Sequence, residues 1–453
     1  MNDPVKPQGA KPYSGFALRG VPIEDPELTH IGPGTPMGEL MRRFWHPVCL
    51  AAELTDVALA IRILGEDLVA FRDLSGRVGV LHRHCCHRGT SLEFGILCEQ
   101  GIRCCYHGWQ FDIDGTILQA GAEPPDSRIP RLFVQGAYPA KEYKGLVFAY
   151  LGDPETMPAF PILDTYDLPG NEMVPYSVHY PCNWLQVHDN FVDPAHAYWL
   201  HSTVTTIQFS DAWAAQPVID FQETPDQQGL YYITTRRVED RVWVRSNHIW
   251  LPNVGQVGAL LEKAEKEKFF NRVSITRWTV PIDDTHCWII GWRHFNDDVD
   301  PFHEGKREAC GRDTVDFVGQ TGHRPYAERQ RVPGDWDAQT SQRPIAVHAL
   351  EHLGTTDRGL SMYRRLCRRI LRGEIALSSQ QPRADGKPIH TFTHDTVLQI
   401  PPRPDGDGPD FLRTIGQEVL AAILDGETVP DSERRARIRS NLDALKARHN
   451  RRA

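Results

Sequence analysis

Two short stretches of the chain each bring a thiol and an imidazole close together. Cys85 is followed two positions later by His87, and Cys104 three positions later by His107. A glycine comes one or two residues after each histidine, which permits a tight loop. Two cysteines on one iron and two histidines on the other hold a Rieske [2Fe–2S] cluster, whose potential is higher than that of an all-cysteine cluster. The spacing therefore predicts an electron-transfer centre of this kind.

Other residues near these stretches leave an alternative open. Zinc also binds two cysteines and two histidines, although zinc ligands usually pair cysteine with cysteine and histidine with histidine. His82 and His84 precede the first stretch, and Cys86 and Cys105 each directly follow a predicted ligand. We expect Cys86 and Cys105 to be extra thiols that make the loops more sensitive to oxidation, and not cluster ligands.

A second candidate metal site begins at Asp193. An aspartate followed by proline is typical of a helix N-cap with proline in the first turn. His196 then lies about one turn on, and His201 is five residues further, which is about 140° around an ideal helix. The two imidazoles can bind one ion only if the helix is locally widened, or if His201 lies where the helix ends. We expect one of these, because π-type bulges are common at functional sites.

The two histidines need a carboxylate to complete a metal site. Two histidines and one carboxylate form the facial triad of non-heme Fe(II) oxygenases, with positions left open for O2 and water. We predict Asp335 as the carboxylate, with Asp337 as the main rival and Asp316 as a more distant one. Asp193 is expected to do more than cap the helix. Its carboxylate is predicted to bond both His196 and a cluster histidine, and so to join the two redox centres.

The composition is that of an ordinary globular protein. At 453 residues the chain can hold two substantial domains or three small ones. Its net charge of −9 argues against a nucleic-acid partner, since such binding needs a basic face. No apolar run approaches membrane-spanning length and the polar N-terminus shows no signal segment, so we expect a cytoplasmic protein with no membrane partner. Ten cysteines in a chain of this length do not indicate a disulfide scaffold.

Hydrophobic patterning divides the chain into four parts that must position these residues. Residues 1–45 are predicted to form an arm with one helix, packed with the catalytic domain. Residues 46–152 are rich in strand and turn signals, with both cluster loops at one tip. Residues 153–380 are predicted to be the catalytic iron domain, of mixed strands and helices. Residues 381–453 are a C-terminal extension of unassigned role, whose basic tail from 434 to 452 is predicted to be a solvated or subunit-contacting helix.

Some residues of the predicted catalytic strands are candidates for substrate contact. They are Asn247, His248 and Trp278, with Trp250 and Trp292 in the same pattern. Aromatic residues could line a pocket for an aromatic molecule. They also favour strands for structural reasons, so a role in the core is about as well supported.

These motifs together resemble the Rieske non-heme iron aromatic ring-hydroxylating oxygenases, in the phthalate-oxygenase-like group of α-type terminal oxygenase subunits. The similarity covers about residues 30–375. Its specific pieces are Cys85-x-His87-Arg88-Gly89, Cys104-x-x-His107-Gly108-Trp109, Asn183-Trp184, Asn190-x-x-Asp193-x-x-His196-x4-His201 and Glu351-His352-Leu353-Gly354-Thr355-Thr356-Asp357-Arg358. The chain departs from the group at Asp189, where glutamate is usual, and at Cys86 and Cys105, where proline is typical. The segment from Asp335 matches the group only loosely.

The resemblance implies a fold, cofactors and an assembly. The fold is α+β, with a small all-β Rieske domain and a helix-grip catalytic domain, in which a curved antiparallel sheet wraps on helices. The cofactors are a Rieske [2Fe–2S] cluster, a mononuclear non-heme Fe(II) on His196, His201 and Asp335, and O2 as co-substrate. Asn190 and Asp193 are implied to be catalytic residues. A head-to-tail homotrimer is implied to bring the cluster of one subunit to the iron of the next.

The resemblance also implies a reductase and a class of substrate. The chain shows no dinucleotide-binding or plant-type ferredoxin motif, so NAD(P)H is expected to act through a separate flavin- or ferredoxin-type reductase. An aromatic acid is the expected substrate and O-demethylation or another monooxygenation the expected reaction, with a dehydrodivanillate as the first choice. Ring cis-dihydroxylation of an aromatic acid is the alternative. A Rieske electron carrier without catalysis is a remote alternative, because a carrier does not need the His196 and His201 pair.

Overall fold

The computed structural model describes residue 15 and residues 20–204, 208–376, 383, 385–404 and 406–451. Most of the first nineteen residues of the predicted arm therefore lie outside the described residues. The described chain forms three small antiparallel sheets before residue 152 and one large antiparallel sheet after it. This confirms the predicted α+β class, with a small all-β domain ahead of a larger sheet domain. None of the described helices combines the length and the hydropathy needed to cross a bilayer.

The three small sheets position the two cluster loops. Their strands are β1 (Trp45–Leu50), β2 (Leu59–Ile63), β3 (Glu66–Arg72), β4 (Val78–His82), β5 (Ile96–Leu97), β6 (Ile102–Arg103), β7 (Trp109–Phe111), β8 (Ile117–Ala120), β9 (Ala137–Tyr138), β10 (Ala140–Tyr143) and β11 (Leu146–Tyr150). They pair in the orders β1-β11-β10, β2-β3-β4-β9 and β5-β6-β7-β8. The first cluster loop follows β4, and the second joins β6 to β7. Both loops therefore begin at the ends of buried strands.

The N-terminal arm contains two short helices, α1 (Pro26–Thr29) and α2 (Pro36–Met41), where the sequence predicted one. Both pack against the helix at Arg358–Leu371, and α1 also packs against the helix at Trp184–Asp189. Arg42, directly after α2, is buried and pairs with Glu66 of the first domain at 2.8 Å. The arm therefore ties the two domains together.

One antiparallel sheet forms the body of the second half of the chain. Its strands are β12 (Glu172–Tyr180), β13 (Val218–Glu223), β14 (Gly229–Val238), β15 (Arg241–Trp250), β16 (Val254–Val257), β17 (Lys268–Asn271), β18 (Ile275–Asp283), β19 (His286–Phe295) and β20 (His394–Gln399). Seven of them pair in the order β12-β19-β18-β16-β15-β14-β13, and β20 pairs with both β15 and β17. Nearly every residue of β15 and β18 is buried, so other parts of the chain cover both faces of the sheet there.

Helices cover this sheet and carry the candidate iron ligands. The remaining helices are α3 (Ile129–Leu132), α4 (Trp184–Asp189), α5 (Pro194–Trp199), α6 (Tyr326–Arg331), α7 (Asp335–Thr340), α8 (Arg358–Leu371), α9 (Pro409–Leu424) and α10 (Asp431–Asn450). A π-helical turn at Leu200–Val204 directly follows α5. α8 buries an apolar side against the sheet and presents arginines on the other side. The candidate ligands thus lie between the sheet and this helical layer.

The structure divides the chain differently from the predicted boundary at residue 380. β20 completes the catalytic sheet beside β15, with Thr396 opposite Val244. α9 packs on β14 and α10 packs on α9, around a second apolar core that includes Ile415, Val419 and Leu442. The basic tail forms α10, a helix as predicted, in which Ile438, Leu442 and Leu445 are buried within the chain and most charged side chains are exposed. Residues beyond 380 form part of the catalytic domain.

Candidate metal centres

The two cluster loops have matching backbone hydrogen bonds. In the first loop the N–H of Gly89 donates to the carbonyl of Cys85, and in the second the N–H of Gly108 donates to the carbonyl of Cys104. Both glycines have a positive φ, 77° and 72°, which residues with a Cβ rarely adopt. The two loops therefore turn in the same way, and each glycine is needed for its turn.

The four predicted cluster ligands form two close pairs, one of thiols and one of imidazoles, on these loops. Cys85 and Cys104 are buried in the core of the domain, and the half-buried imidazole rings of His87 and His107 lie 4.6 Å apart. His87 also stacks on the indole of Trp109 at 4.4 Å, which holds the plane of its ring. Burial, together with the neighbouring Cys104 thiol, raises the pKa of Cys85, so a bound cation has to displace its proton. Inner thiols and outer imidazoles fit a cluster with one iron on each pair.

The additional potential ligands near the loops face elsewhere. The side chains of Cys86 and Cys105 are exposed, whereas the two predicted cysteine ligands are buried. His84 bonds a loop carbonyl through Nδ1, and Nε2 of His82 lies 3.4 Å from the carboxylate of Glu66. The geometry therefore supports the proposed ligand set over one that includes Cys86 or Cys105.

Replacing Cys86 or Cys105 by alanine is expected to leave the cluster in place, because neither thiol lies in the buried pocket. The visible absorbance and the cluster iron and sulfide content should equal those of the unchanged protein. Cys104→Ala, which removes a buried ligand, should lose both. Loss of the spectrum in Cys86→Ala or Cys105→Ala would reassign the ligands.

The candidate iron ligands lie on a helix that changes its winding. Asp193 caps α5, because its Oδ1 accepts hydrogen bonds from the N–H groups of Ala195 at 3.1 Å and His196 at 3.3 Å. The π-helical turn Leu200–Val204 then follows and contains His201. A π turn is wider than an α turn, and the two imidazole rings lie 5.4 Å apart. The structure therefore contains the widened helix that the five-residue spacing of His196 and His201 predicts.

Asp335 completes the candidate site from a distant part of the chain. It is the first residue of α7, and its carboxylate lies 3.6 Å from Nε2 of His196 and 3.3 Å from Nε2 of His201. In the described part of the chain, these three side chains form a group whose ligand atoms all lie within 4.8 Å of one another. Atoms that bind one ion at about 2.1 Å each lie about 3–4 Å apart. The three groups therefore fit a single ion as a facial triad.

Both imidazoles are held at Nδ1, which leaves Nε2 facing Asp335. Nδ1 of His201 lies 2.5 Å from Oε1 of Gln208. Nδ1 of His196 bonds the backbone carbonyl of Asp193 and lies 3.7 Å from the carboxylate of the same residue. Such partners fix the orientation of a metal-binding histidine. Gln208 was not predicted, because a glutamine seven residues after His201 follows no spacing rule.

The carboxylate of Asp335 is ionised although it is buried. Burial raises its pKa, but His201, His196 and the amide of Gln320, which donates to Oδ2 at 2.5 Å, together hold the pKa well below its usual range. Burial lowers the pKa of His201, but the neighbouring Asp335 and Gln208 outweigh this effect. The pKa of His201 is therefore raised above its usual value. A divalent cation at this site would take the place of protons on the imidazoles. Asp335 is therefore available as a ligand at neutral pH.

Asn190 adjoins the same three residues. Its Nδ2 lies 3.1 Å from Nε2 of His196 and 3.3 Å from Oδ1 of Asp335. These are the atoms that would face a metal ion. The amide of Asn190 therefore lies at the edge of the coordination sphere of any ion held there. This position is compatible with the predicted catalytic role of Asn190.

The two other carboxylates considered as the third ligand are engaged elsewhere. Asp337 pairs with Arg329 at 2.9 Å and with Arg324 at 3.3 Å. Asp316 pairs through both oxygens with a buried arginine of β19, at 2.6 Å and 2.8 Å. The geometry therefore favours Asp335 among the three.

Asp189, where the chain departs from the resembled group, is buried beside the candidate site. Its carboxylate pairs with Arg364 of α8, and Arg364 also binds Glu351 at 2.5 Å. Burial raises the pKa of Asp189, and Arg364 opposes this effect. The ion pairs connect the C-terminal end of α4, which precedes the helix of His196, to the Glu351 segment of the resembled pattern.

A small, mostly apolar cavity of about 70 Å³ adjoins the three residues. Its wall includes Phe191, Ala197, Phe209, Trp213, Tyr232, Arg245, Asn247, Val257, Leu260, Ile275, Arg277, Phe317 and Gln320. Asn247, one of the candidates for substrate contact, lies there. His248 packs on Trp250 at 3.7 Å, and Trp278 packs on Trp292 at 5.6 Å. Because neighbours in a strand face opposite ways, these four residues lie on the other face of the sheet, away from this cavity.

The other side of the site opens to the surface through a cleft of about 500 Å³. Asp193 and His196 line this cleft, together with Glu351 and His352. The side chains of Asp193 and His196 are 31% and 22% exposed. Within the described residues, no hydrogen bond or ion pair joins the cluster loops to these residues. An electron donor can therefore approach His196 from outside the chain.

Two family models match the chain. The first, described as the Rieske [2Fe-2S] domain, matches residues 44–139, which include both cluster loops. The second, described as the vanillate O-demethylase oxygenase C-terminal domain, matches residues 180–314, which include His196 and His201. The first match favours the iron–sulfur cluster over the zinc alternative.

Curated relatives match nearly the full length of the chain. The oxygenase subunit of tert-butanol monooxygenase / tert-amyl alcohol desaturase from Aquincola tertiaricarbonis is 46% identical, over 96% of each chain. The alpha subunit of phenoxybenzoate dioxygenase from Ectopseudomonas oleovorans is 36% identical, over 86% of this chain and 93% of its own. A solved structure of Pseudomonas putida CBB5 NdmB has the same fold, with a TM-score of 0.56 and 20% identity, over 77% of this chain and 95% of its own.

Proposed function

Because this chain belongs to the family of Rieske-type oxygenase subunits, we propose that it oxidises a C–H bond of a small organic substrate with O2 and reductase-supplied electrons. The family uses a Rieske [2Fe–2S] cluster and a mononuclear non-heme iron. The observation that carries the proposal is the convergence of His196, His201 and Asp335 between a small, mostly apolar cavity and a larger cleft. An electron carrier needs no such arrangement.

A monooxygenation balances as follows. One O2, two electrons and two protons convert a C–H bond into C–OH and one water, and an iron held by the triad would supply the reduction of O2. When the oxidised carbon is an O-methyl group, the resulting hydroxymethyl ether breaks down to a phenol and formaldehyde. The chain itself contributes a mostly apolar wall to the cavity, and the Nδ1 partners Gln208 and Asp193 that orient both imidazoles.

We infer that electrons enter through the open cleft from the cluster of a neighbouring copy. In the head-to-tail homotrimer that we propose, His107 of one copy would meet Asp193 of the next. Exposed aromatic side chains support contact at both places, since Tyr106 beside the cluster and Trp199 on α5 are each 58% exposed. A flavin- or ferredoxin-type reductase in the cytoplasm would pass electrons from NAD(P)H to the cluster.

The substrate that we propose first is an aromatic acid, oxidised by O-demethylation or another monooxygenation. Aromatic side chains, among them Phe209, Trp213 and Phe317, form much of the cavity wall. The description of the C-terminal family supports demethylation, and the phenoxybenzoate relative supports an aromatic acid. Dehydrodivanillate is the first substrate to test, and ring cis-dihydroxylation is the alternative reaction.

Hydroxylation of a tertiary alcohol is a second candidate. The relative named for tert-butanol shares 46% of its residues with this chain over almost the full length, which is a higher identity than that of the phenoxybenzoate relative. A small cavity suits a compact aliphatic molecule as well as an arene. The two candidates differ in charge, and therefore in the group that the cavity has to recognise.

Metal analysis followed by oxygen uptake tests the proposal. The purified chain should contain the two cluster irons with their sulfides and one further iron; EPR should report the cluster in the reduced protein and the mononuclear iron, as Fe(III), in the oxidised protein. With a reductase, O2 uptake should respond to a panel of methoxy- and unsubstituted aromatic acids and tert-butanol. Formaldehyde marks demethylation and a diol marks dihydroxylation. Cluster iron alone, with no uptake that depends on substrate, would contradict the proposal and favour a carrier.

A further inference from the structure

One buried cation in the cavity wall has no counter-ion. Arg277 is 7% exposed, lines the cavity beside Asp335, and lies over the ring of Phe191 at 4.1 Å. Its Nε has no hydrogen-bond partner, and no carboxylate in the described residues pairs with its guanidinium. Burying an unpaired charge is costly, so a cation at this position calls for a partner that is not part of the described chain.

The other charged side chains of the cavity are already neutralised. Arg245 pairs with Asp395 at 3.0 Å, and that carboxylate is fully buried. Asp335 is engaged by His196 and His201, as described above. In the described cavity wall, Arg245 is already paired with a carboxylate, and Arg277 remains available to bind an anion.

The sheet leaves room around Arg277. Its partner in β16 is Gly255 and its partner in β19 is Gly291. A Cβ at position 255 would lie 2.6 Å from the ring of Phe191, and a Cβ at position 291 would lie 2.6 Å from Cα of Arg277. Glycine inside a strand weakens the strand and often marks a close approach. Here the two glycines let Phe191 and the arginine stem pack together at the cavity.

Two further polar groups lie near the guanidinium. The hydroxyls of Tyr176 and Tyr180 are buried; that of Tyr176 lies within reach of Arg277, and that of Tyr180 has no hydrogen-bond partner among the described residues. Burial raises the pKa of both tyrosines, and Arg277 opposes this effect in each. Arg277 therefore brings a positive charge to a cavity whose wall also includes the apolar side chains Phe209 and Phe317.

We propose that Arg277 is a specificity-determining residue, which binds the carboxylate of an aromatic acid while the ring occupies the apolar part of the cavity. The inference rests on the proposed function and names the substrate class within it. An arginine pairs with a carboxylate through two parallel hydrogen bonds, which a neutral alcohol or amide cannot reproduce. Discrimination between an acid and its neutral isostere therefore depends on this one side chain.

Calorimetric titration of the metal-loaded enzyme with benzoate, benzamide and tert-butanol tests the inference. Benzoate should bind the unchanged enzyme at least about tenfold more tightly than benzamide. Arg277→Met, which keeps an unbranched side chain without charge, should weaken benzoate by at least about tenfold and leave benzamide nearly unchanged. Arg277→Lys should recover part of the benzoate affinity, because a point charge replaces the planar fork.

Two results would overturn the inference. One is benzamide or tert-butanol binding to the unchanged enzyme as tightly as benzoate, a comparison that needs no variant to fold. The other is equal benzoate affinity in Arg277→Met and the unchanged enzyme, which would mean that buried water satisfies the guanidinium. Failure of the proposed function has a different signature, namely missing mononuclear iron and no oxygen uptake with any substrate.

Discussion

Asp335→Asn is expected to remove the mononuclear iron and leave the cluster in place. Asparagine keeps the size of the side chain and still accepts the hydrogen bond from Gln320. Its neutral amide lacks the charge that draws a divalent cation to two imidazoles, and it is a weaker ligand. Iron per chain should therefore fall by about one atom and product formation by at least about 100-fold, with an unchanged cluster spectrum. Iron analysis, EPR and product assays measure these quantities.

Asp337→Asn is the matched control, since it makes the same change two residues later in the same helix. Asp337 pairs with Arg324 and Arg329 and accepts the N–H of Gly334, so its loss should affect stability alone. Iron content should stay at the level of the unchanged enzyme. If Asp337→Asn lost the iron and Asp335→Asn kept it, the third ligand would have to be reassigned.

Residues that are close in sequence were the most predictable part of the site. The cluster motif needs only two short loops, and the position of each glycine follows from its turn. The widened helix follows from geometry, because two histidines five residues apart cannot share an ion on a regular helix. Such inferences hold without knowledge of the rest of the fold, since they concern one turn of the backbone at a time.

Residues that approach from distant parts of the chain were less predictable. Asp335 comes more than one hundred residues after His201, and it was chosen among three carboxylates because a facial triad needs one, without a local pattern that singles it out. Gln208 and Gln320, which orient and polarise the site, carry no sequence signal at all. β20 was missed for the same reason, because its pairing with β15 spans about 150 residues of sequence. Long-range pairing has no local pattern to indicate it.

The strands show a third limit on prediction from sequence, which concerns the face of the sheet on which a residue lies. Asn247 and Arg277 face the cavity, while their neighbours His248 and Trp278 face the other way. When one face of a sheet is solvated, alternation of polar and apolar residues reveals which face is inside. β15 and β18 are buried on both faces, so this alternation is absent. A choice between adjacent residues then requires the three-dimensional structure.

Asp193→Asn is expected to slow electron entry while both metals stay bound. Asparagine caps a helix about as well as aspartate, so the hydrogen bonds to the N–H groups of Ala195 and His196 should persist. The substitution removes the negative charge beside Nδ1 of His196, in the open cleft where we propose that a neighbouring cluster docks. Product formation should fall by about 10- to 100-fold. Stopped-flow reoxidation of the prereduced cluster should slow by a similar factor.

Asp153→Asn is a control for the capping role, because Asp153 also precedes a proline and caps a helical turn, and it does not line the cleft. This variant should keep the full rate of cluster reoxidation. If Asp193→Asn also reoxidised at the full rate, with iron and cluster intact, its carboxylate would be a helix cap alone. Electrons would then have to reach His196 by another group of the cleft. Slow reoxidation together with loss of the mononuclear iron would instead place Asp193 among the groups that hold the metal. Iron analysis of the same sample distinguishes slow reoxidation with iron bound from slow reoxidation with iron lost.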